Sequence, residues 1–300
     1  WYFLRFMDPH NDNEFASMSA MKYWDKVDWY NGGMEHTARH LLYARFWVQM
    51  LYNFGLVPKK EMIWTRVSHG MVLGDNNEKM SKSKGNVINP DDIVNDYGAD
   101  TLRVYEMFMG DYEQDAPWST DSLKGCKRFI DRVIRLKDKV TDSEEYSEDL
   151  EVIINKSIKK VGYDLTHMAY NTAVSTLMIL VNAYDEKPSI TKGDYKVLLD
   201  LLNPIAPHIT EELNESLGYT PICDREWPSY DEDKTIDNVI DIAVQVNGKV
   251  RDTIRIKKDS SKEELEKIAM NSDIIKKWID GKEVVKVISV PNRIVNIVIK

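Results

Sequence analysis

The spacing of apolar residues changes twice along this chain, and each change predicts a different architecture. In residues 1–114, short apolar runs alternate with segments of helical spacing, a pattern typical of an α/β nucleotide-binding fold. Residues 115–236 keep helical spacing throughout, which predicts an all-α bundle. Residues 237–300 return to alternating strands around an Asn-Gly turn, which predicts a small α+β domain. We therefore predict three domains with these boundaries.

Several elements of the first segment follow from local patterns. Helical spacing over residues 37–54 predicts a buried helix, and Asp100 is predicted to be the N-cap of a helix that extends to Met109. The other elements predicted here are strands at 62–67 and 70–73 and a helix that Pro90 opens and Gly98 ends.

The two later segments also give definite elements. The bundle is predicted to contain helices at about 121–140, 150–168, 170–186, 193–202 and 207–217, with an exposed acidic loop at 141–149. The last segment is predicted to contain strands at 242–246, 249–256, 284–290 and 294–299, and a helix that begins after Ser260 or Ser261.

Charge is distributed unevenly along the chain. The whole chain has 40 basic and 49 acidic residues, yet residues 241–300 have 13 basic against 9 acidic. This balance argues against a uniformly basic RNA-binding surface and favours local basic patches. The last segment supplies one such patch, for which contact with phosphates and a simple solvated strand face are both open: Lys249, Arg251, Arg255, Lys257 and Lys258.

Cysteine and apolar content indicate the compartment. Cys126 and Cys223 are far apart and belong to no CxxC pattern, which argues against a disulfide framework or a structural zinc site. No apolar run approaches the roughly 20 residues that a membrane-spanning helix needs. We expect a cytoplasmic protein without a membrane partner. Because the chain opens with Trp1, we also expect further residues before it.

The segment KMSKSKGN, residues 79–86, carries a chemical signal. Ammonium groups at Lys79 and Lys82, on a loop of small residues, can neutralise a polyphosphate as charge moves onto a leaving group. The alternative is a solvated basic loop. The pattern predicts nucleotide chemistry.

A second constellation, YNGGMEHTARH, precedes the first long helical segment. Gly32 and Gly33 permit close approach of a ligand to the backbone, and Glu35 supplies a hydroxyl acceptor. His36 and His40 are four residues apart and are predicted to share a helix face. The order EHxxxH differs from the zinc-binding HExxH, so we predict no metal site, and a structural role for both histidines remains an alternative.

Several motifs together resemble one family. They are WYFLRF, YNGGMEH, HLLYARF, GMVLG, KMSKSKGN, YGADTLR, VQVNGKVR and the terminal VNIVIK. This combination resembles the class I aminoacyl-tRNA synthetases, in particular leucyl-tRNA synthetases of the bacterial type. The resemblance covers essentially all 300 residues. The isoleucine and valine enzymes share KMSKSKGN but look different in the segment that here reads GGMEHTARHLLYARF.

The resemblance implies activation of leucine by ATP and its transfer to tRNA(Leu). The implied fold is the second half of a Rossmann-like catalytic domain, a helical anticodon-binding domain and a small tRNA-contacting domain. ATP, with Mg²⁺ bound to it, is the implied cofactor, and the full-length enzyme is expected to be a monomer. The basic residues of the last segment are then candidates for tRNA contact.

The resemblance also assigns residues. Those matching leucine-binding positions are Tyr2, Tyr30, His36 and His40. Those matching ATP-binding positions are Gly32, Gly33, Glu35, Met71, Val72, Lys79, Met80, Ser81, Lys82 and Ser83. Lys79 and Lys82 match the catalytic lysines of the family. His69 stands where related chains often have glutamine, and its role is open.

Two features of the family are missing from these residues. Neither the HIGH signature nor an editing insertion is found, so we expect a carboxy-terminal fragment that does not activate leucine by itself. Two alternatives remain at this point. One is another aliphatic class I synthetase, for valine or isoleucine; the other is a non-catalytic tRNA-binding protein that descends from a synthetase.

Overall fold

A computed structural model of the chain describes residues 2–75, 77–236, 239–258 and 260–300. The side chains of Tyr2, Val239 and Lys257 lie outside that description. The chain divides into two compact units, one of Trp1–Leu150 with Ser157–Pro228 and one of Glu151–Lys156 with Ser229–Lys300. The first unit contains both the α/β segment and most of the bundle, so the boundary near residue 114 stays a prediction. No helix in the described ranges is both long and apolar enough to cross a bilayer.

The first unit begins with strands and helices in alternation. Its elements are α1 (Tyr2–Phe6), α2 (Met18–Trp24), β1 (Val27–Gly33), α3 (His40–Asn53), β2 (Ile63–His69), β3 (Val72–Leu73), α4 (Pro90–Tyr97), α5 (Ala99–Phe108) and β4 (Ala116–Pro117). β1 and β2 are parallel, as are the short strands β3 and β4. A small core lies under β1 and α3, formed by Leu4, Ala16, Met21, Leu41, Val48, Val57 and Met62. The predicted α/β pattern is confirmed.

The helix predicted over residues 37–54 differs from that prediction in two ways. It begins later, at His40, because Met34–Thr37 form a separate 3-10 turn. It is also far from buried, since only Leu41 and Val48 are buried in α3. Its apolar residues occupy most of the helix circumference, whereas the described segments cover one face. The spacing therefore predicted the helix correctly and its burial wrongly.

The rest of the first unit consists of helices and two short strands. Its elements are α6 (Thr120–Leu136), β5 (Val140–Thr141), α7 (Glu151–Thr166), α8 (Tyr170–Asp185), β6 (Ile190–Thr191), α9 (Lys192–Leu202) and α10 (Pro207–Ser216), of which residues 151–156 belong to the second unit. All five predicted helices are confirmed to within a few residues. The core includes fully buried tyrosines whose hydroxyls have partners: Tyr195 donates to the Val133 carbonyl at 2.8 Å. A bundle core of this density fixes the orientation of α5 and α6, which follow the lysine loop.

Asp100 has a different role from the one predicted. Gly98, not Asp100, is the residue before the first turn of α5. The Asp100 side chain is buried, and its carboxylate accepts hydrogen bonds from His208 Nδ1 at 2.8 Å and Ile209 N–H at 2.6 Å. Asp100 therefore caps the first turn of α10 instead of its own helix. A sequence pattern that considers only neighbours along the chain does not reveal such a contact.

The second unit is a four-stranded sheet with two helices. Its elements are β7 (Val239–Val246), β8 (Lys249–Lys257), α11 (Lys262–Asn271), α12 (Asp273–Ile279), β9 (Val284–Val290) and β10 (Ile294–Ile299). The strand order is β8-β7-β10-β9, and β10 is parallel to β7 while the other pairs are antiparallel. Asn247 and Gly248 both have positive φ, as the predicted tight hairpin requires. The predicted α+β domain is confirmed.

Candidate active site

The carboxyl ends of β1 and β2 form the edge at which the predicted ligand-binding residues meet. In the parallel pair, Gly32 lies opposite Ser68 and Gly33 opposite His69. Ligands of open α/β sheets bind at the carboxyl ends of the strands. A hollow of about 620 Å³ opens beside this edge, lined by Met34, by residues 66–70 at the end of β2 and by residues 113–115 rather than by the glycine pair itself. Its volume is within the range of small-molecule sites.

Glu35 is folded back over Gly33. A Cβ on Gly33 would lie 2.3 Å from Glu35 Oε2, so the absence of a side chain at Gly33 makes this position possible. The backbone N–H of Glu35 donates to its own carboxylate and lowers its pKa, and the charges of His36, Lys79 and His69 lower it further. The carboxylate is thus an ionised acceptor with basic groups from three segments around it, suited to a ribose hydroxyl.

Three of the four predicted leucine-binding residues come together at this edge. Tyr30 Oη and His40 Nδ1 are 2.7 Å apart, and the two rings are stacked with centroids 5.6 Å apart. The rings of His36 and His40 are nearly perpendicular, with centroids 6.3 Å apart. They do not share a helix face as predicted, because His36 lies in the 3-10 turn and His40 begins α3. The fourth residue, Tyr2, has its side chain outside the described part.

One polar atom in this cluster has no partner. His36 Nδ1 is buried and forms no hydrogen bond within the described residues. A buried imidazole nitrogen without a partner is unfavourable, and a ligand group can satisfy it. The cluster therefore combines aromatic surface from Tyr30 and His40 with one unsatisfied polar atom, His36 Nδ1, which a ligand can reach once the buried His36 ring turns.

The strand that leads to the lysine loop has a neighbour on each side: residues 70–73 are hydrogen-bonded to the segment after α5, and Leu73 is also bridged to Lys79. Its hydrogen bonds to the segment after α5 are Gly70 N–H to Tyr112 O at 2.8 Å, Ala116 N–H to Met71 O at 3.1 Å and Trp118 N–H to Leu73 O at 2.9 Å. Val72 is opposite Ala116 in this parallel pair, and a residue in that register directs its own N–H and C=O away from the partner strand. Val72 is 38% exposed, and its peptide groups face the side of β3 on which the root of the lysine loop lies.

The lysine loop is anchored at its root and ordered by its own side chains. Lys79 is bridged to Leu73 of β3, and the Asn86 amide contacts the loop twice: Oδ1 accepts from Ser81 N–H at 2.9 Å and Nδ2 donates to Lys79 O at 3.4 Å. Ser81 Oγ and Ser83 Oγ are 3.2 Å apart. Asn86 belongs to the KMSKSKGN motif but was not among the predicted site residues.

The three lysines of the loop differ in their surroundings. Lys84 Nζ forms an ion pair with Glu78 at 2.8 Å. Lys79 and Lys82 are exposed, and neither forms an ion pair within the described part of the chain. These are the two lysines predicted to bind phosphates, and their ammonium groups are available for an added anion.

The predicted tRNA-contacting residues lie along β8 and just beyond it. Lys249, Arg255 and Lys258 are exposed, and Arg255 Nε lies 3.3 Å from Asp241 Oδ1. Arg251 is less available, because its guanidinium lies over the ring of Trp278, 3.8 Å from the centroid. The Lys257 side chain lies outside the described part. The predicted basic run is therefore interrupted at Arg251.

Comparisons with known proteins agree with this geometry. The family description "tRNA synthetases class I (I, L, M and V)" matches residues 26–119, and "Anticodon-binding domain of tRNA ligase" matches residues 149–267. Together they include the candidate site, the lysine loop and most of the bundle. Two regions of the chain, residues 26–119 and 149–267, therefore match the class I tRNA synthetase family and the anticodon-binding domain of tRNA ligases.

Within that family, the similarity is to the leucine enzymes. The leucine--tRNA ligase of Alkaliphilus oremlandii is 52% identical over 301 residues, which cover 100% of this chain and 38% of that protein. The ternary complex of Agrobacterium radiobacter K84 agnB2 LeuRS with tRNA and LeuAMS matches with a TM-score of 0.71 and 28% identity, covering 100% of this chain and 42% of that chain. The chain thus spans about two fifths of the length of these relatives.

Proposed function

We propose that these 300 residues serve as the carboxy-terminal part of a leucine--tRNA ligase. The ligase activates leucine with ATP to leucyl-adenylate and then transfers leucine to tRNA(Leu). The observation that carries the proposal is the site at the ends of β1 and β2, where Glu35 folds back over Gly33 and Gly33 lies opposite His69, in a chain 52% identical to a leucine--tRNA ligase.

The nucleotide is proposed to lie along the edge formed by β1 and β2. Gly32 and Gly33 permit close approach of adenosine, Glu35 accepts from ribose hydroxyls, and the peptide groups of Val72 and Met71 contact adenine. The loop binds the phosphates through Lys79 and Lys82. Met80, Ser81 and Ser83 give the loop its shape, as the hydrogen bonds of both serines indicate.

Leucine is proposed to bind at the aromatic cluster. Tyr30 and His40 are fixed by their mutual hydrogen bond, and His36 offers its unpartnered nitrogen. Tyr2 is the fourth proposed contact. A preorganised pocket of this kind discriminates one methylene by about 1 to 3 kcal/mol.

The chemistry of activation makes use of these positions. A carboxylate oxygen of leucine forms a bond to the α-phosphorus of ATP, and the bond from that phosphorus to the pyrophosphate oxygen breaks. Negative charge grows on pyrophosphate, and the ammonium groups of Lys82 and Lys79 stabilise it more in the transition state than in bound ATP. Mg²⁺ bound to ATP supplies further charge neutralisation. The described residues contain no group of three metal-ligating side chains, so Mg²⁺ is proposed to arrive with the nucleotide.

The remaining regions are proposed to contact tRNA. The bundle matches an anticodon-binding description, and Lys249, Arg255 and Lys258 present exposed charges to phosphates. Arg251 and Lys257 complete the proposed set. A cytoplasmic location is consistent with the two free thiols, Cys126 and Cys223, and we propose a monomeric full-length enzyme.

Amino-acid-dependent exchange of pyrophosphate into ATP tests the proposal. The full-length enzyme containing this chain is assayed with leucine, valine and isoleucine. We expect exchange with leucine to exceed the others clearly, because a pocket shaped for the Cγ-branched leucine disfavours valine and isoleucine, which are branched at Cβ. Preference for valine or isoleucine would assign a different synthetase, and no exchange with any of them would favour a non-catalytic tRNA-binding protein. The 300 residues alone are predicted to show no exchange.

A further inference from the structure

The hydrogen-bond ladder along residues 70–73 contains one side-chain partner. Met71 N–H donates to Asp115 Oδ1 at 2.6 Å, whereas the bonds from Gly70 N–H to Tyr112 O, from Ala116 N–H to Met71 O and from Trp118 N–H to Leu73 O join backbone atoms. A carboxylate replaces a backbone carbonyl here because the chain turns outward between Tyr112 and Ala116. In that turn, Asp111 accepts from Glu113 N–H and from Gln114 N–H, each at 3.1 Å. No backbone carbonyl of the turn is hydrogen-bonded to Met71, and the Asp115 side chain takes that place.

Gly70 fixes where the turn lies. A Cβ on Gly70 would lie 1.9 Å from the carbonyl oxygen of Gln114, a backbone atom that cannot move aside alone. The turn is therefore packed directly against the backbone of Gly70, between the end of β2 and the start of β3. This packing brings Asp115 opposite Met71, so the contact follows from the fold of two segments and not from a freely moving surface carboxylate.

The Met71 peptide lies next to the segments proposed to bind the two ends of the nucleotide, adenine and the phosphates. Val72, which follows it, directs its peptide groups away from β4, toward the proposed adenine position. Leu73 is bridged to Lys79, the first lysine of the loop, and Gly74 N–H donates to Glu78 O at 2.8 Å. A rotation of the peptide at residue 71 would therefore turn the Val72 groups and displace the root of the lysine loop.

We infer that Asp115 is a positioning residue for ATP. Its carboxylate holds the Met71 peptide so that Val72 presents its N–H and C=O to adenine and Lys79 stays at the end of β3. The inference rests on the proposed function, because it assigns Asp115 to the nucleotide and not to leucine or tRNA. Asp115 does not itself touch the reacting atoms in this assignment. It acts through the strand.

The test compares variants of the full-length enzyme containing this chain, in leucine-dependent exchange. Asp115→Ala removes a hydrogen bond to a charged acceptor, and we expect KM for ATP to rise about tenfold with KM for leucine nearly unchanged. Asp115→Asn keeps the acceptor oxygen without the charge and is expected to restore most of the affinity. Asp121→Ala is the matched control, since it removes the same charge from an exposed side chain, 3.7 Å from Lys124, that lies outside both the strand contact and the hollow. It should match the unchanged enzyme.

Hydrogen exchange of the same full-length variants reports on the strand without any catalytic step. Asp115→Ala should speed amide exchange in a peptide covering residues 69–79, and Asp115→Asn should restore protection. Equal KM increases for ATP and leucine, or an unchanged KM for ATP with unchanged protection, would overturn the inference. Loss of exchange activity in the unchanged enzyme would instead refute the proposed function, so the two failures are distinguishable.

Discussion

The lysine loop at 79–84 and the basic strand β8 look alike in sequence and differ in surroundings. In the loop, the motif residue Asn86 holds the backbone, and Lys79 contributes to the electrostatic environment of Glu35. On β8, Arg251 is stacked on Trp278 and Arg255 lies beside Asp241. Lysine and arginine density is similar in both. The difference teaches that lysine and arginine residues form an anion-binding site when the fold places them beside other functional groups and leaves them without an acidic partner.

The lysine loop and β8 also differ in how their backbones are connected to the neighbouring strands. The loop root is tied to β3, which is tied in turn to residues 112–118. β8 is an edge strand of its sheet, with exposed Lys249 and Arg255. The loop is therefore suited to positioning phosphates for a reaction, whereas β8 is suited to sequence-independent contact with a nucleic acid backbone.

The largest expected effect is that of Lys82→Ala in the full-length enzyme. Removing a charge that acts on the developing pyrophosphate should lower the rate of leucine activation about 100-fold, with KM for leucine nearly unchanged. Lys84→Ala is the control, because Lys84 is paired with Glu78 and should matter much less. Single-turnover formation of leucyl-adenylate measures the rate. An unchanged rate in Lys82→Ala would remove the loop from the mechanism.

A second, smaller effect is expected from Gly33→Ala. The added Cβ would occupy the position of the Glu35 carboxylate, 2.3 Å from Oε2, and displace the proposed ribose acceptor. KM for ATP should rise about tenfold, the usual size of a lost hydrogen bond to a charged group. Gly125→Ala is the matched control, because a Cβ there has its nearest neighbour at 3.7 Å, an ordinary contact. Normal KM for ATP in Gly33→Ala would show that Glu35 does not bind ribose.

The smallest effect is expected on β8. Lys249→Ala should reduce the slope of log K for tRNA binding against log salt by about 0.7 to 0.9, the contribution of one phosphate contact. Lys262→Ala, on α11 and 4.0 Å from Glu266, serves as the comparison in the same unit. Titrations of the full-length enzyme at several salt concentrations measure both slopes. Identical slopes for Lys249→Ala and the unchanged enzyme would make β8 a solvated strand face.

Much of the fold was predictable because local rules determined it. The Asn247-Gly248 hairpin, the helix that Pro90 begins and Gly98 ends, and the five bundle helices each follow from turn chemistry or apolar spacing. The burial of α3 was not predictable, because apolar spacing alone does not show which faces the described fold covers. The role of Asp100 was missed for a related reason: its partners, His208 and Ile209, are more than 100 residues away along the chain.

The candidate site, like the fold, contains residues that the sequence identified and residues that it did not. Motif residues such as Gly33, Glu35 and Lys79 were identified from the sequence, and the structure places Glu35 against Gly33 at the end of β1 and Lys79 beside Leu73 of β3. Asp115 was not identified, since an aspartate in a turn gives no sign of the strand that it contacts. Its only signal is the contact to Met71 N–H, which the fold creates. The sequence thus showed the groups that meet the ligand better than the groups that position them.

The most direct measurement compares leucine activation with tRNA binding in the loop and strand variants. Lys82→Ala and Lys249→Ala, each in the full-length enzyme, are assayed for leucine activation and for tRNA binding at raised salt. The account predicts that Lys82→Ala loses activation about 100-fold and retains tRNA binding, whereas Lys249→Ala retains activation and loses part of its salt-dependent tRNA binding. Equal losses of activation in both variants, or none in Lys82→Ala, would contradict it.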